Sequence, residues 1–131
     1  SEIPALPSFQ LQKAVSHTIV ANNQNYHTGT IVTTNRRDWE HDEQFKAYLQ
    51  QTRCIGIDME TATLFIASFA NHISHGALLL VSDMPMTPEG VKTDRSDSQV
   101  TQQYAQLHLK IGVESLRELK NSGESVRNLV F

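Results

Sequence analysis

Apolar residues along this chain alternate between helical spacing and short unbroken runs. Pro4 and Pro7 keep residues 1–7 extended. Ser8 is a capping residue, and Leu11, Val15 and Ile19 follow at helical spacing, so a helix is predicted there. Asn22, Asn23 and Asn25 end it. Residues 26–34 are rich in Thr, Val and Ile and predict a strand. Residues 38–51 predict a charged helix with Phe45, Tyr48 and Leu49 on its apolar face. Residues 54–58 form a short buried strand in this reading, and 61–73 a mostly apolar helix with Leu64, Phe65, Ile66 and Phe69. After a turn at 72–76, the run 77–81 predicts a second buried strand. Pro85, Pro88 and Gly90 make 84–97 a long loop, the kind that often serves as a functional lid. Ser98 opens a last helix with Val100, Tyr104, Leu107 and Ile111 as its stripe, and Asn121-Ser122-Gly123 closes it.

Strands that alternate with helices imply a parallel or mixed sheet with helices on its faces. Both late strands are continuously apolar, as strands covered on two sides are. No linker divides the 131 residues, which suits a single domain.

Composition narrows the partners. With 39% apolar and 19% charged residues, the chain has the material for a core. The net charge is −3 and Lys and Arg form no run, which argues against nucleic acid and anionic membranes. No apolar stretch approaches the roughly 18 residues that span a bilayer. The first residues lack the basic and apolar regions of a signal peptide, so none is expected. Cys54 is the single cysteine, in an apolar run, and fits a buried thiol in a reducing, cytoplasmic compartment. The six histidines form no metal-binding pattern, and no H-E-x-x-H, CxxC, Walker or G-x-S-x-G motif is present. No cofactor or metal is expected.

The residues with chemistry stand at strand ends. Glu60 follows the run 54–58, and Ser82-Asp83 follows the run 77–81. Ligands of open α/β sheets bind beyond the carboxyl ends of strands, so the two carboxylates can face one pocket. Each candidate also has a plain structural reading. Glu60 is equally a carboxylate favoured by a helix N-terminus. Met59 is core packing, Asp58 a hydrogen-bonding strand-end residue, and Asp83 a turn residue before Pro85. Trp39 is a packed surface anchor, and Arg36 and Arg37 are solvated. Lys92 and Arg95 in the long loop are similar basic candidates.

These segments in series resemble one family. Ile57-Asp58-Met59-Glu60-Thr61-Ala62 followed by Ser82-Asp83 is similar to the purine nucleoside phosphorylase and nucleosidase superfamily. The stretch from His27-Thr28-Gly29-Thr30 to Trp39-Glu40, then Gly76-Ala77-Leu78-Leu79-Leu80-Val81 and Met86-Thr87-Pro88-Glu89-Gly90, resembles its AMP nucleosidase branch. The likeness extends over nearly the whole chain. It implies a nucleoside phosphorylase-like α/β fold, a mixed sheet flanked by helices. Members are usually around twice this length, with a phosphate-binding glycine turn in an N-terminal half. The chain therefore reads as the C-terminal half of one catalytic domain.

The resemblance also implies roles. Glu60 holds the two ribose hydroxyls, which suit a carboxylate's paired acceptors, and its charge favours an oxocarbenium-like transition state. Met59 lies under the sugar, where its flexible thioether adapts to the ring. Asp83 protonates the departing purine at N7, with Ser82 orienting it. Trp39 stacks on the base. Arg36 is a candidate for a 5′-phosphate from its charge alone, since the family's phosphate-binding arginines belong to the N-terminal half. The expected reaction is hydrolysis of AMP to adenine and ribose 5-phosphate by a homo-oligomer that takes a small-molecule nucleotide or nucleoside. A nucleoside phosphorylase or thioadenosine nucleosidase is the first alternative, and a noncatalytic nucleotide-binding module the second.

Overall fold

The computed structural model describes residues 4–87, 90 and 94–122. Helix α1 (Phe9–Ala21) follows Ser8, whose backbone is extended at φ −68° and ψ 119°. The Ser8 hydroxyl does not cap the helix. It accepts a bond from the His75 amide at 3.0 Å, while the Ser8 amide donates to the His75 carbonyl at 2.7 Å. This exchange lets a fully buried serine satisfy its polar groups. Gln12 makes a similar clasp: its side-chain amide donates to the Ala77 carbonyl and accepts from the Ala77 amide, both at 3.1 Å. At the far end of α1, Asn23 takes the left-handed conformation at φ 56°, which asparagine tolerates.

Strand β1 (Ile31–Thr33) and strand β2 (Gly56–Asp58) pair in parallel, with Ile31, Val32 and Thr33 opposite Gly56, Ile57 and Asp58. Between them run a 3₁₀ turn (Trp39–His41) and helix α2 (Glu43–Thr52). The single helix predicted over 38–51 is thus divided. Asp42 takes an extended conformation and its Oδ1 accepts the Phe45 amide at 3.0 Å, which makes it a true N-cap. Arg53 ends α2 at φ 53°.

Helix α3 (Thr61–Ala70) stops three residues before the predicted end, because His72 turns left-handed at φ 55° and the Ile73 amide closes back onto the Ser68 carbonyl. Helix α4 (Asp94–Asn121) begins before Ser98, and Gly123, expected at its close, lies outside the described residues.

The core sits where α1 packs on α4. Val15, Ile19 and Ile111 are buried together, with Leu78 and Leu107 against them. The stripe of α4 continues to Ser115 and Leu119, whereas Tyr104 is exposed. Ser115 is 1% exposed, and its hydroxyl donates to the Ile111 carbonyl one turn back. Polar bonds flank this core. The Asn22 amide donates to Glu114 at 2.8 Å, and the Thr18 hydroxyl and His17 Nδ1 each stand 3.0 Å from a Glu118 oxygen.

The strands are shorter than the sequence predicts, and one is not formed. The run 77–81 has no ladder partner among the described residues. Leu79, Leu80 and Val81 are exposed, Val81 at 69%, so this run is not the strand covered on both sides that its composition suggests. A strand exists only through its neighbour's hydrogen bonds. Here the backbone partner of Ala77 is a side chain, that of Gln12.

Candidate functional site

The turn from β2 into α3 carries the densest polar network near the predicted site. Register places Thr33 opposite Asp58, and the Thr33 hydroxyl donates to Asp58 Oδ1 at 2.6 Å. That length belongs to a charge-assisted O–H···O bond. Asp58 Oδ2 accepts the Thr61 amide at 3.0 Å and also the Thr61 hydroxyl. The Thr33 oxygen in turn accepts the Ala62 amide at 2.9 Å. Two of the amides left unpaired at a helix start are thereby satisfied.

This network separates two carboxylates that adjoin in sequence. Asp58 caps α3, so its strand-end structural reading holds. Glu60 occupies the N-cap position at φ −129° and ψ −35°, yet its side chain makes no capping bond. Its Oε2 accepts only the Met59 amide, at 3.2 Å, among the described residues. The Glu60 side chain is exposed. Its carboxylate retains acceptor capacity that the fold does not use.

Beside this turn lies an open depression of about 350 Å³, within the usual range for small-molecule sites. Thr33, Thr34, Asn35, Met59, Ala62, Thr63 and Ile66 line it. Met59 is 42% exposed and presents its thioether at this surface. The lining mixes hydroxyls and an amide with apolar side chains, which suits a ligand with both a polar edge and an apolar face. Of the residues singled out from sequence, Met59 lines the depression and Glu60 follows it in the chain. Thr33, Thr34, Asn35 and Thr63 were not anticipated. Their presence depends on the β1–β2 register, for which the sequence offers only alternation.

Trp39, Arg36, Ser82 and Asp83 do not line this depression. The Trp39 ring meets Phe45 edge-on at 6.3 Å between centroids, and Phe45 stacks on Tyr48 at 6.0 Å. Arg36 lies 4.8 Å from the Phe45 centroid and bonds Asp42 Oδ2 at 2.8 Å. Asp42 thus caps α2 with one oxygen and holds Arg36 with the other. Arg37 and Arg95 are exposed, and Lys92 lies outside the described residues. At the second acidic position, the Ser82 hydroxyl donates to Asp83 Oδ1 at 2.6 Å. Asp83 is half-buried, and the chain beyond it is drawn together by a bridge between Met84 and Gly90. Among the described residues, no group of three or more His, Cys, Asp or Glu side chains is arranged to hold a metal ion. None of their helices is long and apolar enough to cross a membrane.

A parallel β-α-β unit with an open depression beside the end of its second strand defines an α/β domain, a class whose ligands bind at strand ends. Residues 2–117 match the phosphorylase superfamily, and the chain belongs to it. It is similar to the AMP nucleosidases of Escherichia coli strain K12 and strain O157:H7, at 31% identity over 106 residues, 80% of this chain. It spans 22% of the length of those relatives. It is also similar to the crystal structure of AMP nucleosidase from Bacteroides thetaiotaomicron, with a TM-score of 0.76 and 41% identity over 95% of this chain and 46% of that one. The nucleoside phosphorylase-like fold expected from the sequence is therefore the fold observed.

Proposed function

We propose that the full-length protein hydrolyses the N-glycosidic bond of AMP, giving adenine and ribose 5-phosphate. The observation that carries this reading is the division of labour at the β2–α3 turn. Asp58 caps the helix, which leaves the exposed Glu60 carboxylate available to the two ribose hydroxyls next to Met59. In this reaction the C1′–N9 bond breaks and its electron pair moves into the purine. A proton enters at N7, and water adds its hydroxyl to C1′ and releases its other proton, which balances the one given to N7. Asp83 is the proposed proton donor. Ser82 engages its Oδ1, which leaves Oδ2 for the proposed proton transfer. Trp39 and Arg36 are assigned to the base and the 5′-phosphate; in the structure Trp39 contacts Phe45 and one Arg36 nitrogen bonds Asp42.

The similarity to AMP nucleosidases favours hydrolysis of the nucleotide, whereas the superfamily's name keeps phosphorolysis as the second reading. Incubation with AMP, then with adenosine and methylthioadenosine, each with and without inorganic phosphate, separates them. Adenine and ribose 5-phosphate from AMP without phosphate support the proposal. Phosphate-dependent release of a ribose 1-phosphate overturns it in favour of a phosphorylase, and purine binding without turnover marks a noncatalytic module. A cytoplasmic homo-oligomer is the setting we assign, on the lone Cys54 and the exposed apolar surface.

A further inference from the structure

We propose that Thr33 is a positioning residue for the Met59–Glu60 pair, an inference that rests on the reading of Glu60 as the ribose ligand. A single side-chain oxygen on β1 grips both ends of the turn that carries the pair. It donates to Asp58 before the pair, at 2.6 Å, and accepts from the Ala62 amide after it, at 2.9 Å. Asp58 adds a second tie through the Thr61 amide and hydroxyl. Between these anchors, the Glu60 carboxylate makes only its contact with the Met59 amide among the described residues.

Asp58 satisfies the Thr61 amide from within the turn, whereas the Ala62 amide is satisfied from another strand. The contribution of Thr33 is to reference the turn to the sheet. The parallel register sets Thr33 opposite Asp58, so the position of Glu60 is fixed relative to β1 as well as to α3. Thr33 also lines the depression, so the surface the ligand meets and the clasp that aims the carboxylate share one residue. Small displacements of a reacting group carry large kinetic penalties, on the order of 10²-fold for about 1 Å.

The test compares Thr33→Val and Thr33→Ser in the full-length protein, with AMP and 2′-deoxy-AMP as substrates. Valine keeps the β-branched shape suited to a strand and removes the hydroxyl. Serine keeps the hydroxyl. Thr33→Val is expected to lower kcat/KM for AMP by about 10²-fold, to lower it less for 2′-deoxy-AMP, and to be rescued largely by Thr33→Ser. In the wild type, the Ala62 amide should exchange with solvent as slowly as amides inside α3. An unchanged kcat/KM, or an equal loss on both substrates, overturns the positioning role. Fast exchange at Ala62 in the wild type overturns it without recourse to any variant. A wild-type protein inert towards AMP overturns the nucleosidase reading itself, and the positioning role with it.

Discussion

The assignment of different roles to Asp58 and Glu60 predicts opposite phenotypes for two neighbouring carboxylates. Asp58→Ala removes the cap on the Thr61 amide, worth about 1 kcal/mol. It also removes the acceptor of the Thr33 hydroxyl, a charge-assisted bond worth about 1.5 kcal/mol at the low end of its range. The two losses share one turn and are not fully additive, so about 2 kcal/mol is expected. At about 2–4 °C per kcal/mol for a full-length domain of around twice this length, the melting midpoint should fall by roughly 4–8 °C. Glu60→Gln removes no cap and no buried partner. Only its interaction with the α3 dipole is lost, a few tenths of a kcal/mol at an exposed position. Its melting midpoint should therefore stay within about 2 °C of wild type. Calorimetry of the full-length variants, in parallel with AMP turnover, reads both effects. Glu60→Gln should be folded and impaired in catalysis. A Glu60→Gln protein that melts as early as Asp58→Ala would return Glu60 to the role of a helix-start residue and refute the reasoning.

Three further outcomes are expected. Asp83→Asn keeps the shape and the Ser82 contact but cannot donate a carboxyl proton, so AMP turnover should fall about 10²–10⁴-fold while substrate binding persists. Near wild-type turnover would remove Asp83 from the mechanism. Glu60→Gln should lose more activity on AMP than on 2′-deoxy-AMP, since one of its hydrogen bonds is already missing with the deoxy substrate; equal losses would dissociate Glu60 from the sugar. The 131-residue chain on its own should self-associate and release no adenine from AMP, because Leu64, Ile66, Phe69, Ile73 and Val81 are all exposed. Sedimentation as a monomer together with adenine release would contradict this.

What the sequence disclosed, and what it withheld, follows from the range of the interactions. The C-terminal end of α1 was legible because asparagine at a helix terminus acts locally. The division of 38–51 was less so. Asp42 and Phe45 stand at capping distance in the sequence, yet the charged run reads as one continuous helix until the cap geometry is seen. Asp58 and Glu60 were both visible as acids at a strand end, and the fold adds that Asp58, not Glu60, bonds the first amide of α3. Thr33 engages the other Asp58 oxygen, from a strand 25 residues away in sequence, through a register the pattern of Thr, Val and Ile does not specify. Trp39 shows the same limit from the other side. Its polar neighbours suggested an anchor or a stacking platform, and the ring is seated against Phe45.

The run 77–81 carries the argument furthest. Its aliphatic composition encodes the demand to be covered, and that demand is a property of its side chains alone. Whether the demand is met depends on other strands, which a local reading cannot supply. In the structure, one face of the run is engaged through Leu78 in the α1–α4 core, and Gln12 clasps the backbone at Ala77. Leu79, Leu80 and Val81 remain exposed, directly before Ser82 and Asp83. The proposed acid therefore stands at the end of a segment that acquires strand character only by pairing. Among the described residues no strand pairs with that segment, whereas Glu60 lies in a turn tied to β1. The two proposed site carboxylates are thus held by different means: Glu60 in a turn clasped to β1, and Asp83 after a segment with no ladder partner among the described residues.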